Sequence, residues 1–242
     1  MIPFTTRSGE TFTETLNPWI ARARSVGYDG FIIDVSNMEK PAPISRMLQD
    51  TADAFDGFKI FTRKTIILQE RQSIKERLAN IRDKSGVNFI CIRSSNADVL
   101  NFAAKDSRID IIRLETPTEI QAFSEGIASL ASQEGKFIEL PFAPLFKTRG
   151  AGRSKFIREA NKVLEITLHK HVRLLFSSDA SHLTDVKNAW QRVIALNIVL
   201  GASRQVARDI FLKHPFQLLE RNSRENVMNV ASASSEPNGE DE

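Results

Sequence analysis

Short runs of apolar residues recur along the chain, and each run is separated from the next by a segment with helical periodicity. Six runs are apolar at consecutive rather than alternate positions, which is typical of strands buried on both faces of a parallel sheet. The predicted strands are Phe31–Val35, Phe58–Phe61, Asn88–Ile92, Ile109–Leu114, Phe137–Leu140 and Val172–Phe176. The limits of the second strand are open, because Ile66, Ile67 and Leu68 lie close to it.

The segments between these strands carry helix start and stop signals. Thr116-Pro117-Thr118-Glu119 is a capping box with proline at the first helical position, and it predicts a helix that runs to Gly135. Further helices are predicted from Ser95-Asn96 to Ala103, over 69–84, from Thr184 to Leu200 and over 204–213. His214-Pro215 is expected to break the last of these.

The alternation of strands and helices, without a central linker, predicts an α/β fold with one TIM-like (β/α) barrel domain over residues 1–230. Six strands are secure rather than eight, and a short strand near Ile2–Phe4 would add one. We therefore expect a barrel that is irregular or has fewer than eight regular units, with an open doubly wound sheet as the alternative. Residues 231–242 contain four acids and no bases, and we expect a disordered acidic tail.

Charge and composition narrow the class of protein. The net charge of +3 becomes +7 without the acidic tail, since 33 basic residues then stand against 26 acidic ones. No apolar stretch approaches the roughly 18 residues of a membrane span, and the N-terminus lacks a secretory pattern. The single cysteine, Cys91, lies inside an apolar run and excludes a disulfide framework. We expect a buried Cys91 and a cytoplasmic protein without membrane contact.

Basic residues collect where the predicted strands end, which is the side of (β/α) barrels that carries the functional site. Arg63, Arg93 and Arg113 each end or follow a strand. After the fifth strand, a loop and the start of the next helix over 141–158 hold five basic residues and no acid, namely Lys147, Arg149, Arg153, Lys155 and Arg158. Arginine presents a rigid fork of donors that suits phosphate, so these positions predict a phosphate-bearing partner.

Two other interpretations concern the same strand ends. In the first, the three arginines pair with Asp34, Glu115 and Asp179 in a structural ionic ring, and the basic segment is a solvated turn. In the second, Ser178–His182 resembles part of the metal-dependent phosphoesterase barrels of the polymerase-and-histidinol-phosphatase type. Those enzymes need a His-x-His pair after an early strand, whereas the first histidine here is His169. A catalytic metal site is therefore not predicted, and Ser177 to His182, all on one turn, do not predict a triad.

Several segments, in their order along the chain, resemble those of the ribonuclease P protein component 3 family, the archaeal relatives of the thirty-kilodalton eukaryotic subunit. Ala103–Leu114 is similar to that family's Ser/Pro-Arg-Val-Asp-Ile-Ile strand, and Ile138–Leu145 to its Glu-Ile-x-x-x-Pro-Leu-Leu stretch. Leu174–Ala180 matches its Ser-Ser-Gly/Asp-Ala turn, and His214–Leu219 resembles its ending. The order of these motifs is more specific than any one of them.

The resemblance implies a TIM-like barrel related to those phosphoesterases but without their metal site. It implies a non-catalytic subunit of the ribonucleoprotein that cuts the 5′ leader from precursor tRNA, with no cofactor on the protein and the catalytic Mg²⁺ on the RNA. The protein would bind ribonuclease P RNA and a small RRM-like partner subunit, and would meet precursor tRNA indirectly. The phosphate contacts would come from Arg63, Arg93, Arg113, Lys147, Arg149, Arg153, Lys155 and Arg158.

The competing hypothesis is a stand-alone barrel enzyme that acts on a small phosphorylated substrate. It would use the same arginines as a phosphate clamp and Asp34 or Asp179 as the acid or base. The two hypotheses differ in the affinity for RNA and in the dependence of that affinity on salt.

Overall fold

A parallel sheet of six strands forms the centre of the fold. The computed structural model describes residues 12–36, 57–70, 78 and 86–221. The strands are β1 (Gly30–Asp34), β2 (Lys59–Ile67), β3 (Phe89–Arg93), β4 (Ile111–Arg113), β5 (Phe137–Pro141) and β6 (Arg173–Ser177). Each pairs in parallel with the strand before it in the sequence, so the order across the sheet is β1-β2-β3-β4-β5-β6. A doubly wound sheet requires a reversal of strand order, so that alternative is excluded.

Helices cover the outer face of this sheet. They are α1 (Phe12–Ser25), α2 (Ala97–Lys105), α3 (Pro117–Ala122), α4 (Glu125–Gln133), α5 (Pro144–Lys147), α6 (Gly150–His169), α7 (Ala189–Leu200) and α8 (Arg204–Arg208). A 3-10 turn spans Leu183–Asp185, and a π-helical segment, Asp209–Lys213, continues α8 into helical residues 214–221. Among the helices described, none has the length and apolar character needed to cross a membrane.

Side chains alternate between the two faces of every strand, which gives the molecule an outer and an inner core. On the outer face, residues such as Ile90, Ile112 and Ile138 pack against the helices and are fully buried. On the inner face, an apolar layer occupies the end of the barrel where the strands begin, and it consists of Phe89, Cys91, Ile111, Phe137, Leu175 and Leu218. Leu218 comes from the C-terminal helical segment, which therefore closes that end of the barrel. The prediction that Cys91 is buried is confirmed.

The sheet is strongly curled rather than flat. Arg63 on β2 forms an ion pair with Glu139 on β5, although three strand spacings of a flat sheet would separate them by about 14 Å. The side between β1 and β6 is bridged by contacts from α1 and the loop after it to the loop before α7. Tyr28 donates a hydrogen bond to the Lys187 carbonyl at 2.9 Å, and Arg22 of α1 donates one to the Val186 carbonyl at 3.0 Å. The predicted α/β architecture, an irregular TIM-like barrel, is confirmed, with six strands among the residues that the structure describes.

The helix predicted from the capping box at Thr116 is two helices. The box itself is present, since Thr116 accepts the backbone N–H of Glu119 at 3.3 Å and the Glu119 carboxylate accepts that of Thr116 at 2.9 Å. The backbone then becomes extended at Phe123, and Ser124 accepts the N–H of Ile127 to begin α4. One continuous helix to Gly135 was therefore wrong, because a second N-cap interrupts it.

The last helix continues through Pro215, where the sequence predicted a break. Proline lacks an N–H and its ring collides with the carbonyl four residues earlier in an α-helix. Here the preceding turn is π-helical, and His214 donates its backbone N–H to the backbone carbonyl of Asp209, five residues earlier. The wider turn gives the proline ring its space.

The helix predicted to start at Thr184 also begins later. The 3-10 turn Leu183–Asp185 comes first, and α7 starts at Ala189, because Asn188 accepts the N–H of Trp190 at 2.7 Å as an N-cap. The helix ends as predicted before Gly201, whose φ of 63° suits glycine.

Some predictions lie outside the residues that the structure describes. These are the strand near Ile2–Phe4, the acidic tail over 231–242 with the domain boundary before it, and all of the helix over 69–84 except its first two residues and Leu78. Leu78 is helical and buried.

Candidate functional site

The upper layer of the barrel interior, where the strands end, is a network of ion pairs. Glu139 of β5 lies at its centre and binds the guanidinium groups of both Arg63 and Arg113. Arg63 also donates through Nε to Asp34 at 3.0 Å, and Arg113 binds Asp179. These residues reach one another because they share one level of the barrel interior. Asp34 is in register with Arg63 on the neighbouring strand, Arg113 is in register with Glu139, and Asp179 follows the end of β6. We call them the mouth network.

The mouth network is almost closed to water. The side chains of Arg63, Arg113 and Glu139 are 4%, 1% and 3% exposed. Burial alone would raise the pKa of Glu139, but the two guanidinium groups outweigh it and lower this pKa to about 2. Burial also opposes the charge of both arginines, yet the Glu139 carboxylate raises the pKa of each above its ordinary value. All three groups are therefore charged at neutral pH.

Arg93 extends the network to the rim of the barrel. Its two terminal nitrogens lie 2.7 Å from Glu115 and 3.1 Å from Glu119. Glu115 is in turn 3.1 Å from Nε of Arg113, and Glu119 also caps α3. The network thus ties the ends of β3 and β4 to the first turn of the helix that follows.

The ionic-ring interpretation of the strand-end arginines is confirmed by this geometry. Arg63 and Arg113 have carboxylates on their guanidinium groups and no accessible surface for a phosphate. We therefore correct the prediction that these two contact phosphates. Arg93 is 17% exposed and already engages two carboxylates, which leaves it a minor candidate.

Among the described residues of the mouth, Asp34 and Asp179, the two candidate acids or bases of the competing enzyme hypothesis, are both bound to arginine. The Asp34 carboxylate accepts hydrogen bonds from the Ser36 hydroxyl, the Thr65 hydroxyl and Arg63. Burial would raise the pKa of Asp34, but Arg63 and these hydroxyls lower it, so the group is a weak proton acceptor at neutral pH. Over the described ranges, no three His, Cys, Asp or Glu side chains are grouped as metal ligands.

Five exposed basic residues after β5 form a second feature, which we call the α6 basic surface. They are Lys147 at the end of α5, Arg149 at the N-cap of α6, and Arg153, Lys155 and Arg158 on its first turns. The predicted basic loop is therefore mostly helix, because the chain becomes helical at Gly150. In the part of the chain that the structure describes, Arg149, Arg153 and Lys155 form no ion pair.

The α6 basic surface is electrostatically unsatisfied. The N-terminus of a helix carries a partial positive charge, which acidic residues normally offset. The first turn of α6 has no acidic residue, and the Arg149 side chain does not cap it. Lys147 binds the Ser181 hydroxyl at 2.7 Å and lies 3.9 Å from Asp185, and Arg158 lies 3.7 Å from Glu159, so these two are partly compensated. Such a surface suits an anionic partner.

Sequence reasoning missed the two carboxylates that organise the mouth network. Glu139 is a single charge inside the otherwise apolar strand β5, and a buried charge requires a partner of opposite sign. That signal pointed to an inward ion pair. Glu119 was noticed only as part of a capping box, whereas its carboxylate also holds Arg93.

Comparison with known proteins places these features in a family context. The family model of RNase P subunit p30 matches residues 3–227 of the chain. Ribonuclease P protein component 3 of Halorubrum lacusprofundi is 24% identical over 193 residues, which are 78% of this chain and 78% of that protein. A chain in the cryo-EM structure of archaeal ribonuclease P with mature tRNA has a similar fold, with a TM-score of 0.74 and 16% identity, over 85% of this chain and 87% of that chain.

Proposed function

The chain belongs to the RNase P subunit p30 family, and from this premise we propose that it acts as a protein subunit of ribonuclease P, the ribonucleoprotein that removes the 5′ leader from precursor tRNA. The observation that carries the proposal is the family match over 3–227, which spans the whole described fold. The subunit would bind the catalytic RNA, meet precursor tRNA indirectly and work in the cytoplasm.

We further propose that the protein supplies no active site and that the catalytic Mg²⁺ is held by the RNA. What supports this is the state of the barrel mouth. The carboxylates that the competing enzyme hypothesis would use, Asp34 and Asp179, are bound to guanidinium groups. A group that already neutralises a buried charge is a poor ligand or proton acceptor, because freeing it would leave that charge unpaired.

The RNA contacts are proposed to lie on the α6 basic surface. Its five residues, Lys147, Arg149, Arg153, Lys155 and Arg158, are exposed, and no acid interrupts the run from 141 to 158. Contacts of this kind position an RNA backbone without reading its sequence.

A protein subunit, which we expect to be the small RRM-like partner, is proposed to cover α7. Trp190, Ile194 and Ile198 lie four residues apart along this helix and are 54%, 53% and 74% exposed. The opposite face of α7 packs in the core, and its only charged residue, Arg192, is buried. An apolar stripe on the exposed face of a helix whose other face packs in the core is typical of a protein interface, so we propose that a partner surface covers this stripe.

RNA binding tests the proposal directly. The full chain is titrated with the ribonuclease P RNA of the same organism at several salt concentrations, and leader cleavage is measured after mixing with the RNA and the other subunits. Each phosphate contact contributes about −0.7 to −0.9 to the slope of log affinity against log salt. Replacing Lys147, Arg149 and Arg153 by Gln is expected to reduce that slope by up to about three contacts. A chain that neither binds this RNA at low salt nor stimulates cleavage is not a ribonuclease P subunit.

A further inference from the structure

A cavity of about 250 Å³ opens at the barrel mouth, between the loop after β5 and the start of α7. Phe142 and Phe146 form an apolar wall, and Lys147, Lys187 and Arg192 bring three cations to its lining. At about 30 Å³ for each molecule of liquid water, the space corresponds to roughly eight waters, which is larger than one phosphate group.

Arg192 is the unusual member of this lining. Arg192 is 8% exposed, and its Nε is buried without a hydrogen-bond partner. The guanidinium carbon lies 5.6 Å from the centre of the Tyr28 ring, and across the described ranges no carboxylate pairs with it. The two other buried arginines described, Arg63 and Arg113, both bind carboxylates. A buried guanidinium without a counterion is strongly unfavourable, so Arg192 points to an anion from outside the described part of the fold.

The remaining charges of the cavity reinforce this conclusion. Lys187 is exposed and Lys147 is about half exposed, so both can move toward a ligand. Among the described residues of the lining, the one carboxylate is Asp185, which accepts the backbone N–H groups of Ser181 and His182 at 3.0 and 3.1 Å and lies 3.9 Å from Nζ of Lys147. Asp185 therefore offsets only Lys147, and Lys187 and Arg192 leave the described lining with a net positive charge.

We propose that this cavity binds a single backbone phosphate of RNA, with Arg192 as the fixed donor and Lys187 as a mobile one. The inference rests on the proposed function, which supplies the RNA. The sugar next to the phosphate would lie against Phe146, which is 56% exposed. A carboxylate of a partner protein would satisfy the same donors. RNA is favoured because Lys147 belongs both to this cavity and to the α6 basic surface, so the positive charge continues outward as a chain of phosphates requires.

Two variants of the full chain test the proposal. Arg192→Met keeps a long, helix-compatible side chain and removes the buried charge, so the free protein is expected to be at least as stable as the wild type. Lys187→Gln changes an exposed side chain and leaves the core intact. Lys105→Gln is the matched control, since Lys105 is an exposed lysine near the end of α2, far from the cavity in the sheet order.

The readout is affinity for ribonuclease P RNA as a function of salt. Loss of one contact is expected to lower the slope of log affinity against log salt by about 0.8 and the affinity at 0.1 M salt by about sixfold, for each of the two variants but not for the control. In parallel, inorganic phosphate is expected to raise the Tm of the wild type more than that of Arg192→Met. Phosphate stabilises both proteins through its general salt effect, so the difference between the two Tm increases reports binding at the cavity.

The outcomes separate this site from the function on which it rests. If the wild type and Lys105→Gln bind RNA and both cavity variants bind equally well with the same slope, the cavity proposal fails and the function stands. If the variants lose affinity for an isolated protein subunit instead, the ligand is a carboxylate and the proposal fails. If no form of the chain binds RNA, the proposed function and the RNA phosphate fail together, even where inorganic phosphate stabilises the protein.

Discussion

Replacing Glu139 by Gln removes the central charge of the mouth network while it preserves the size and shape of the side chain. Glu139 binds Arg63 and Arg113, and all three are almost fully buried. In the variant, Arg63 retains Asp34 and Arg113 retains Asp179, but the carboxylate that both arginines share is gone. We expect the barrel to lose stability at neutral pH, because two buried guanidinium groups lose part of their compensation.

The expected loss is about 3 to 5 kcal/mol, from two routes. Lowering the pKa of Glu139 from 4.5 to about 2 corresponds to about 3 kcal/mol of stability at neutral pH. Removing one partner of a buried ion pair typically costs about 3–5 kcal/mol. Because the pKa is lower in the folded chain than in the unfolded one, this contribution is complete above pH 4.5 and is lost as the pH falls toward 2.

Urea unfolding followed by circular dichroism measures this loss at pH 7 and along a series from pH 5.5 to 3. The wild type should lose stability across the acidic series, and the variant should lose less because Glu139 no longer titrates. Glu125→Gln is the control, because Glu125 also forms an ion pair, 2.8 Å from Lys170, but its side chain is 62% exposed. If Glu139→Gln unfolds at the same urea concentration as this control, the mouth network does not hold the barrel together.

Three further outcomes follow from the interior. Cys91 is fully buried, and burial raises its pKa to about 12. A thiol reagent at pH 8 should therefore modify Cys91 only after denaturation. Fast stoichiometric labelling of the native chain would contradict the position of Cys91 in the core. Burial lowers the pKa of Lys136 to about 8, so at this residue the folded chain binds fewer protons than the unfolded one between pH 8 and 10.5. The urea midpoint of the wild type relative to that of Lys136→Met should therefore rise with pH in that interval, and a difference that does not change with pH would contradict the burial of Lys136. Leu218→Ala should cost about 2–5 kcal/mol in urea unfolding, whereas the same change at Leu212, which is 43% exposed, should cost much less; equal effects would show that Leu218 does not seal the barrel.

The strands could be predicted because their signal is local. A run of consecutive apolar residues such as Phe89 to Ile92 is buried on both faces only when its strand lies in a parallel sheet covered by helices. Each predicted strand lies within a few residues of an observed one. The second strand is the exception in length, since β2 runs on through the nearby apolar residues Ile66 and Ile67. Its limits are set by pairing with both neighbours, β1 along its first half and β3 along its second, which no local pattern reveals.

The candidate site was less accessible to prediction, for a different reason. Arg93 and Arg113 end β3 and β4 as the sequence predicted, whereas Arg63 lies in the middle of β2, which continues to Ile67. Whether these arginines face a ligand or carboxylates of the same chain depends on how far the sheet curls. Because it curls enough for β2 to meet β5, Glu139 reaches both Arg63 and Arg113. Pro215 is similar, since its effect depends on the π-helical turn before it. In both cases the outcome depends on the three-dimensional arrangement of the folded backbone, which the local sequence does not reveal.

Every strand of the sheet pairs with its predecessor in the chain, so the sheet can grow one strand at a time as the polypeptide leaves the ribosome. The inner apolar layer cannot be sealed in the same stepwise manner, because Leu218 arrives only after the last strand. A nascent chain would thus carry a nearly complete sheet with one open hydrophobic end until residues 204–221 emerge. Chains that stop before Leu218 are therefore expected to aggregate during synthesis, rather than to fold into a barrel that merely lacks its final helix.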